Sequence, residues 1–315
     1  VTVDGQYART PLDLVNSAYV NIEGINFKRS GGSSPDVCKI RGSNGTSFVA
    51  HVEIKRVICY DVGVLDANRH VVSIHNIEDV LLEDVAGFGQ GRKVLAQYQS
   101  RRITWRRCFG MWNKYGSDTQ PKSSLDLLYN SEDVLWENCI GEWDELVAAN
   151  NRYGNAAPGP NRFDFPQYPQ SANLRVFGNI MLALTGQNST QRWMFYHPLT
   201  SGDGGVTGST FKDNVAYIQP SSSGIIPYHI TDNGGETTTF DHNTAIYGTG
   251  GQASVFIASV SNTNFLEQAT VDSYDLYTNT GAGATIRYRY VDGVLTGTPL
   301  WPFPMADRIA AAMTD

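Results

Sequence analysis

Residues 103–112 read Ile103-Thr104-Trp105-Arg106-Arg107-Cys108-Phe109-Gly110-Met111-Trp112, and residues 134–143 read Val134-Leu135-Trp136-Glu137-Asn138-Cys139-Ile140-Gly141-Glu142-Trp143. Both follow one pattern: apolar, any, Trp, any, any, Cys, any, Gly, any, Trp. Alternation with period two marks a half-buried strand. A second copy of the same strand, one interval later, marks a repeat architecture.

The first half of that pattern spreads along the chain. It occurs as Val20, Ile22, Ile25; as Val52, Ile54, Val57; as Val80, Leu82, Val85; and as Leu174, Val176, Asn179. Two later copies keep only the end, Phe211 with Asn214 and Phe240 with Asn243. The starts at 20, 52, 80, 103, 134 and 174 are separated by 32, 28, 23, 31 and 40 residues. The shortest interval fits one circuit of a three-strand parallel β-helix, and the longer ones fit a circuit with an inserted loop. Other strand-like runs lie between the copies, at Val71–Ile74, Lys93–Ala96, Leu125–Leu128 and Val255–Ile257. Each circuit therefore has more than one strand.

The last pattern position reads Ile25, Val57, Val85, Cys108, Cys139, Asn179, Asn214, Asn243. The spacing predicts that these form one inward column, ending in an asparagine ladder whose amides satisfy each other and the turn backbone. Cys108 and Cys139 become direct neighbours. Parallel side chains give poor disulfide dihedrals, so two buried thiols are expected. The outward position after the second apolar one reads Lys55, Glu83, Arg106, Glu137, Phe177, Lys212, Asp241. Coils stack about 4.8 Å apart, so unlike charges become neighbours. Each such pair adds little stability, but a slipped coil would bring like charges together.

Composition agrees. Charged residues are 17%, and there are 31 Gly and 22 Asn, a balance suited to many turns and few solvated helices. The net charge of -7 argues against a nucleic-acid backbone as partner. No apolar stretch approaches the ~18 residues of a membrane span. The chain opens on Val1 rather than Met, which reads as a mature or trimmed form of something longer, from which any export signal would have been removed.

With these repeats, the sequence resembles the right-handed parallel β-helix proteins of the pectate-lyase-like superfamily, over roughly Leu14 to Val291. The resemblance implies an all-β, right-handed solenoid of about nine coils. The expected division is residues 1–296 for the β-helix and 297–315 for a capping or docking arm. That arm holds the stiff segment Thr298–Pro304 and a short helix candidate, Met305–Met313. The superfamily contains lyases, hydrolases, tailspikes and adhesins, so fold alone carries no reaction. The polygalacturonase strings Asn-Thr-Asp, Asp-Asp, Gly-His-Gly and Arg-Ile-Lys are absent, as is the pectate-lyase run Trp-Ile-Asp-His.

Candidate site residues come from the matched Cys-x-Gly-x-Trp motifs. Each is followed by an insertion, Asn113–Ser124 and then Asp144–Gln170. Both should leave the stack at one corner, and long loops on a rigid scaffold are where sites tend to lie. Elimination on a uronic acid needs a base near the proton alpha to the carboxylate and cations to stabilise the enolate. Lys114, Glu145, Arg152 and Arg162 are the expected catalytic set, with calcium as a conceivable cofactor in the place of further Arg. Trp112, Trp143, Tyr115 and Tyr153 are the expected sugar-binding set. Hydrolysis would instead need two carboxylates, which Asp144, Glu145 and Asp164 could supply. The bland alternative is a pair of decorated surface loops, with the tryptophans anchoring them. The six histidines read as surface or satisfied side chains.

Two functions remain open from sequence. One is an extracellular or cell-surface protein that binds or cleaves polysaccharide. The other is a structural fibre protein, forming a homo-oligomer or filament through its chain ends.

Overall fold

A computed structural model describes residues 1–32, 36–43, 48–62, 69–89, 93–112, 123–128, 131–143, 173–183, 188–197, 210–218, 223–231, 239–241, 244–247, 255–258, 264–267, 270–272, 277–279, 289–291 and 294–296. Among them every regular element is a β-strand. No described helix is long and apolar enough to cross a membrane. The expected arm at 297–315 lies outside the described residues.

Strand pairing follows the repeat. Val20, Ile22 pair in register with Val52, Ile54, and these with Val80, Leu82. The series continues through Ile103, Trp105 to Val134, Trp136, then Leu174, Val176, and on to Phe211 and Phe240. All these ladders are parallel. A second set of strands follows each of these along the chain, such as Phe109–Trp112 after Arg101–Arg106. In two repeats the two strands fuse into one, Phe48–Val62 and Ile77–Gly89. Both sets belong to one sheet of 19 strands. A third set forms two smaller sheets. One joins Leu12–Val15, Cys38–Arg41, His70–His75, Lys93–Tyr98 and Ser123–Leu128; the other joins Asn188–His197, Ser223–Thr231, Val255–Ala258 and Tyr277–Asn279. The architecture is all-β and consistent with a parallel β-solenoid. Among the described residues one pairing is antiparallel, between Arg289–Val291 and Val294–Thr296.

The corner between the first two strand sets has one conformation in seven repeats. Gly24, Arg56, Asp84, Arg107, Asn138, Gly178 and Asp213 all have positive φ, between 47° and 70° by the individual values of 68°, 52°, 55°, 49°, 55°, 65° and 55°. Each sends the next residue inward. This left-handed backbone costs about 1–2 kcal/mol for a residue bearing a Cβ, yet only two of the seven are Gly. The side chains at this corner are engaged along the stack. Arg107 bonds Asp84 through Nε at 2.8 Å and Glu83 at 3.0 Å, and Arg56 pairs with Glu23. At Gly178 a Cβ would lie 2.5 Å from the Asn138 amide oxygen, so a side chain there would have to push that amide aside.

The inward column is as expected over its described members, and Asn243 lies outside the described residues. Val57, Val85, Cys108, Cys139, Asn179 and Asn214 are all buried, while Ile25 at its start is only partly so. All four cysteines are free and buried. The outward charges agree in part. Arg106 bridges Glu83 at 3.6 Å and Glu137 at 2.7 Å across two interfaces. Lys55 instead pairs with Glu53 at 2.7 Å on its own strand, because a side chain two residues away points to the same side.

Core packing trades volume between two columns. One runs Ile54, Leu82, Trp105, Trp136, Val176, Phe211; the other, in register, runs Cys59, Gly87, Gly110, Gly141, Met181, Ala216. Where the first carries Trp, the second carries Gly. Trp105 and Trp136 stack at 4.7 Å with planes 6° apart, both fully buried. At Gly87 a Cβ would meet Leu95 and Val94 side chains at 2.9 Å.

Candidate functional site

The matched motifs do leave the stack in register. Trp112 pairs with Trp143 on the adjacent strand, and Gly89 with Trp112 on the other side. Their side chains fall outside the described residues. So do Lys114, Tyr115, Glu145, Arg152, Tyr153 and Arg162 as a whole, together with the carboxylates Asp144 and Asp164.

The same corner has a second half. After Gly89 the chain re-enters the stack at Lys93, and after Trp112 it re-enters at Ser123; Val62 likewise leads to Arg69 and His70. His70, Lys93 and Ser123 are neighbours in register. Asp36 lies one strand earlier. It accepts the His70 backbone N–H at 2.8 Å and the Ser73 hydroxyl at 2.6 Å. Asp36, His70, Ser73 and Lys93 are all buried. Polar groups out of water at such density are expensive unless paired, and they mark sites more often than cores do.

A second row completes the cluster. Arg41, His75 and Tyr98 share one register column. The Tyr98 hydroxyl lies 3.0 Å from His70 Nε2. The His75 ring stacks on the Tyr98 ring at 4.5 Å with planes 8° apart, and the two histidine rings are 6.2 Å apart. Arg41 forms a two-bond fork on Asp13, at 3.0 and 2.9 Å. Lys39 is in register with Ser73. The arrangement joins a phenol, an imidazole that can exchange its proton, and a set of cations.

His75 carries an electrostatic signature of this site. Burial, helped by neighbouring His70, Lys39 and Arg41 and opposed by Asp36, lowers its pKa to about 3. The folded state thus binds a proton less readily than the unfolded chain, whose histidine titrates near 6.5. The contribution is fully present above pH 6.5 and is lost as pH falls toward 3. Wild-type stability should drop by roughly 2 kcal/mol between pH 6.5 and 5 from this group. His75→Phe, which keeps the ring stack, should flatten that part of the profile. Parallel urea melts of the two proteins at pH 7 and pH 5 measure the difference; identical slopes would remove the assignment.

Sequence alone does not reveal this cluster, because its histidines read as surface or satisfied groups. His70 is buried and bonded to Tyr98 through Nε2, within a polar cluster rather than alone. The signal was present. Adding 34 and then 23 residues to Asp36 gives His70 and Lys93, and to Arg41 gives His75 and Tyr98. Other polar pairs lack this character. Glu78 and Asp79 are held by Arg101 and Arg102, so they are not the two open carboxylates that hydrolysis needs. Among the described residues no group of three or more His, Cys, Asp or Glu is placed to hold a metal ion.

No protein-family model matches this chain, and no curated protein or solved structure matches it either.

Proposed function

We propose that the chain is a right-handed parallel β-helix of about nine coils, secreted or displayed at a cell surface, that binds and cleaves acidic polysaccharide. The observation that carries this reading is the buried polar corner of Asp36, His70, Lys93 and Tyr98. Its strands adjoin Ser123–Leu128, the strand that follows the first insertion, because Ser123 pairs in register with Lys93. A carboxylated sugar suits the partly exposed cations Lys39 and Arg69. A proton-exchanging phenol and imidazole suit elimination better than hydrolysis.

The test is binding of the purified chain to uronate polymers and to a neutral glucan by calorimetry, with absorbance of unsaturated sugar followed in parallel. Saturable binding to a uronate polymer, absent with the neutral glucan and weakened by Lys39→Ala with Arg69→Ala, supports the reading. Equal or no binding to both would overturn it.

A second reading has its own support. The first repeat leaves its inward residues Leu12, Leu14, Val20, Ile22 and Ile25 only partly buried, and Val1, Val15 and Tyr19 are exposed beside them. Apolar residues this accessible along strands favour association with another apolar surface, as a fibre protein would use. Concentration-dependent filaments in electron micrographs, with no glycan binding, would favour it.

A further inference from the structure

Resting on that reading of the corner, we infer that Tyr98 is both base and acid in a β-elimination, on a 4-linked uronate whose C-5 hydrogen and O-4 lie on the same ring face. His70 is 4% exposed whereas Tyr98 is half-buried, so a polymer meets the phenol and not the imidazole. The 3.0 Å contact makes His70 the proton reservoir behind it. The His75 ring, parallel to Tyr98 at 4.5 Å, fixes the phenol plane. That orientation is what a positioned proton transfer needs.

The steps balance without another reactant. His70 Nε2 takes the Tyr98 hydroxyl proton and leaves a phenolate. The phenolate takes the C-5 hydrogen as a proton, and the C–H electron pair becomes the C-4=C-5 double bond. The bond from C-4 to O-4 breaks, with its pair going to oxygen. Tyr98 gives the proton it has just gained to that oxygen, and His70 returns its own to Tyr98. The products are one chain ending in an unsaturated uronate and one with a new hydroxyl. Lys39 and Arg41 act electrostatically on the His75 ring that stacks on Tyr98, and cations so placed favour both the phenolate and the enolate.

The geometry selects the substrate. One hydroxyl acts on one face of the ring. In 4-linked D-glucuronate and D-mannuronate the C-5 hydrogen and O-4 share a face. In 4-linked D-galacturonate they lie on opposite faces, beyond a single group.

The experiment uses the full chain with mannuronan, a 4-linked glucuronate polymer and polygalacturonate, reading binding and unsaturated product separately. Wild type should yield product from one or both of the first two and none from polygalacturonate. Tyr98→Phe should keep its melting temperature and its binding and lose kcat/KM by about 1,000-fold. His70→Gln can hold the phenol but cannot take its proton. Its rate should therefore rise with pH toward the phenol's own ionisation, near 10, while wild type works near neutrality. A folded Tyr98→Phe that cleaves normally, or a wild type that prefers polygalacturonate, overturns the inference. A wild type that binds uronate polymers and cleaves none also overturns it, yet leaves the binding reading intact. Absence of binding sinks both.

Discussion

Trp136→Ala is expected to lower the unfolding free energy by about 3–5 kcal/mol, the range for an aromatic side chain removed from a packed core. Trp136 is fully buried and stacks on Trp105 at 4.7 Å. Truncation removes its own contacts and half of a stacked pair. The surroundings have little with which to refill the space. The column in register with the tryptophans carries Gly110 and Gly141 there, and a glycine has no side chain to swing into a void. The parallel ladders on either side also hold the backbone, because Leu135 and Glu137 pair in register with both neighbouring strands. Relaxation is therefore limited, which puts the cost toward the upper part of the range. Trp136→Phe should cost clearly less, since it leaves a ring on Trp105. Urea unfolding followed by circular dichroism measures both. A Trp136→Ala loss under about 1 kcal/mol would mean that the two columns do not share one close-packed core.

The repeat was legible because its signal is periodic. An inward residue at every second position survives substitution, so Val80, Ile103 and Leu174 announce equivalent strands without sharing an identity. The asparagine column was legible for the opposite reason: Asn179 and Asn214 are the wrong polarity for an apolar column, and only hydrogen bonding makes sense of them. The left-handed corner was not legible. Gly24, Asp84, Asn138, Gly178 and Asp213 are residue types that favour positive φ, but such residues are common at turns of every kind, and Arg56 and Arg107 share the conformation without belonging to that group. The outward ladder was half legible. Alternating charge was correctly read at Arg106, but the choice of Lys55 for Glu53 depends on reach within one strand rather than on register.

The site was less legible than the fold. Sequence placed both insertions at one corner, and the pairing of Trp112 with Trp143 puts their exits there. What sequence did not provide was the other half of that corner. Asp36 precedes a strand of the third set and His70 and Lys93 open the next two, and no short motif contains any two of them. Only the intervals between those runs bring them together. Those intervals differ, 34 and then 23 residues, because the segments between strands differ in length. Periodicity finds what recurs at every step, whereas this site occurs once, across three steps.

Asn179→Ala should cost about 2–4 kcal/mol, more than its small volume suggests, because it strands partners on two neighbouring strands. Asn179 accepts the Cys139 backbone N–H through Oδ1 at 2.8 Å and donates through Nδ2 to the Trp136 carbonyl at 2.9 Å and to Asn214 Oδ1 at 3.1 Å. Asn214 repeats the device one strand later, accepting from the Asn179 backbone at 3.0 Å and donating to the Val176 carbonyl at 2.8 Å. Each amide thus closes the turn of the preceding repeat. Alanine would leave the Cys139 N–H and the Trp136 carbonyl without that partner in a buried corner. The cysteines hold the same relation more weakly. Cys139 Sγ lies 3.4 Å from the Cys108 N–H and 3.5 Å from the Trp105 carbonyl, the two groups an asparagine there would bond. A thiol is a poor donor and a poorer acceptor, so Cys139→Ala should cost about 1 kcal/mol or slightly more, mostly for lost packing. The ordering is the test. If denaturant melts give Asn179→Ala no larger a loss than Cys139→Ala, the column is held by packing alone. If Asn179→Ala is the larger, the exchange of Cys for Asn down the stack is an exchange of weak turn closure for strong.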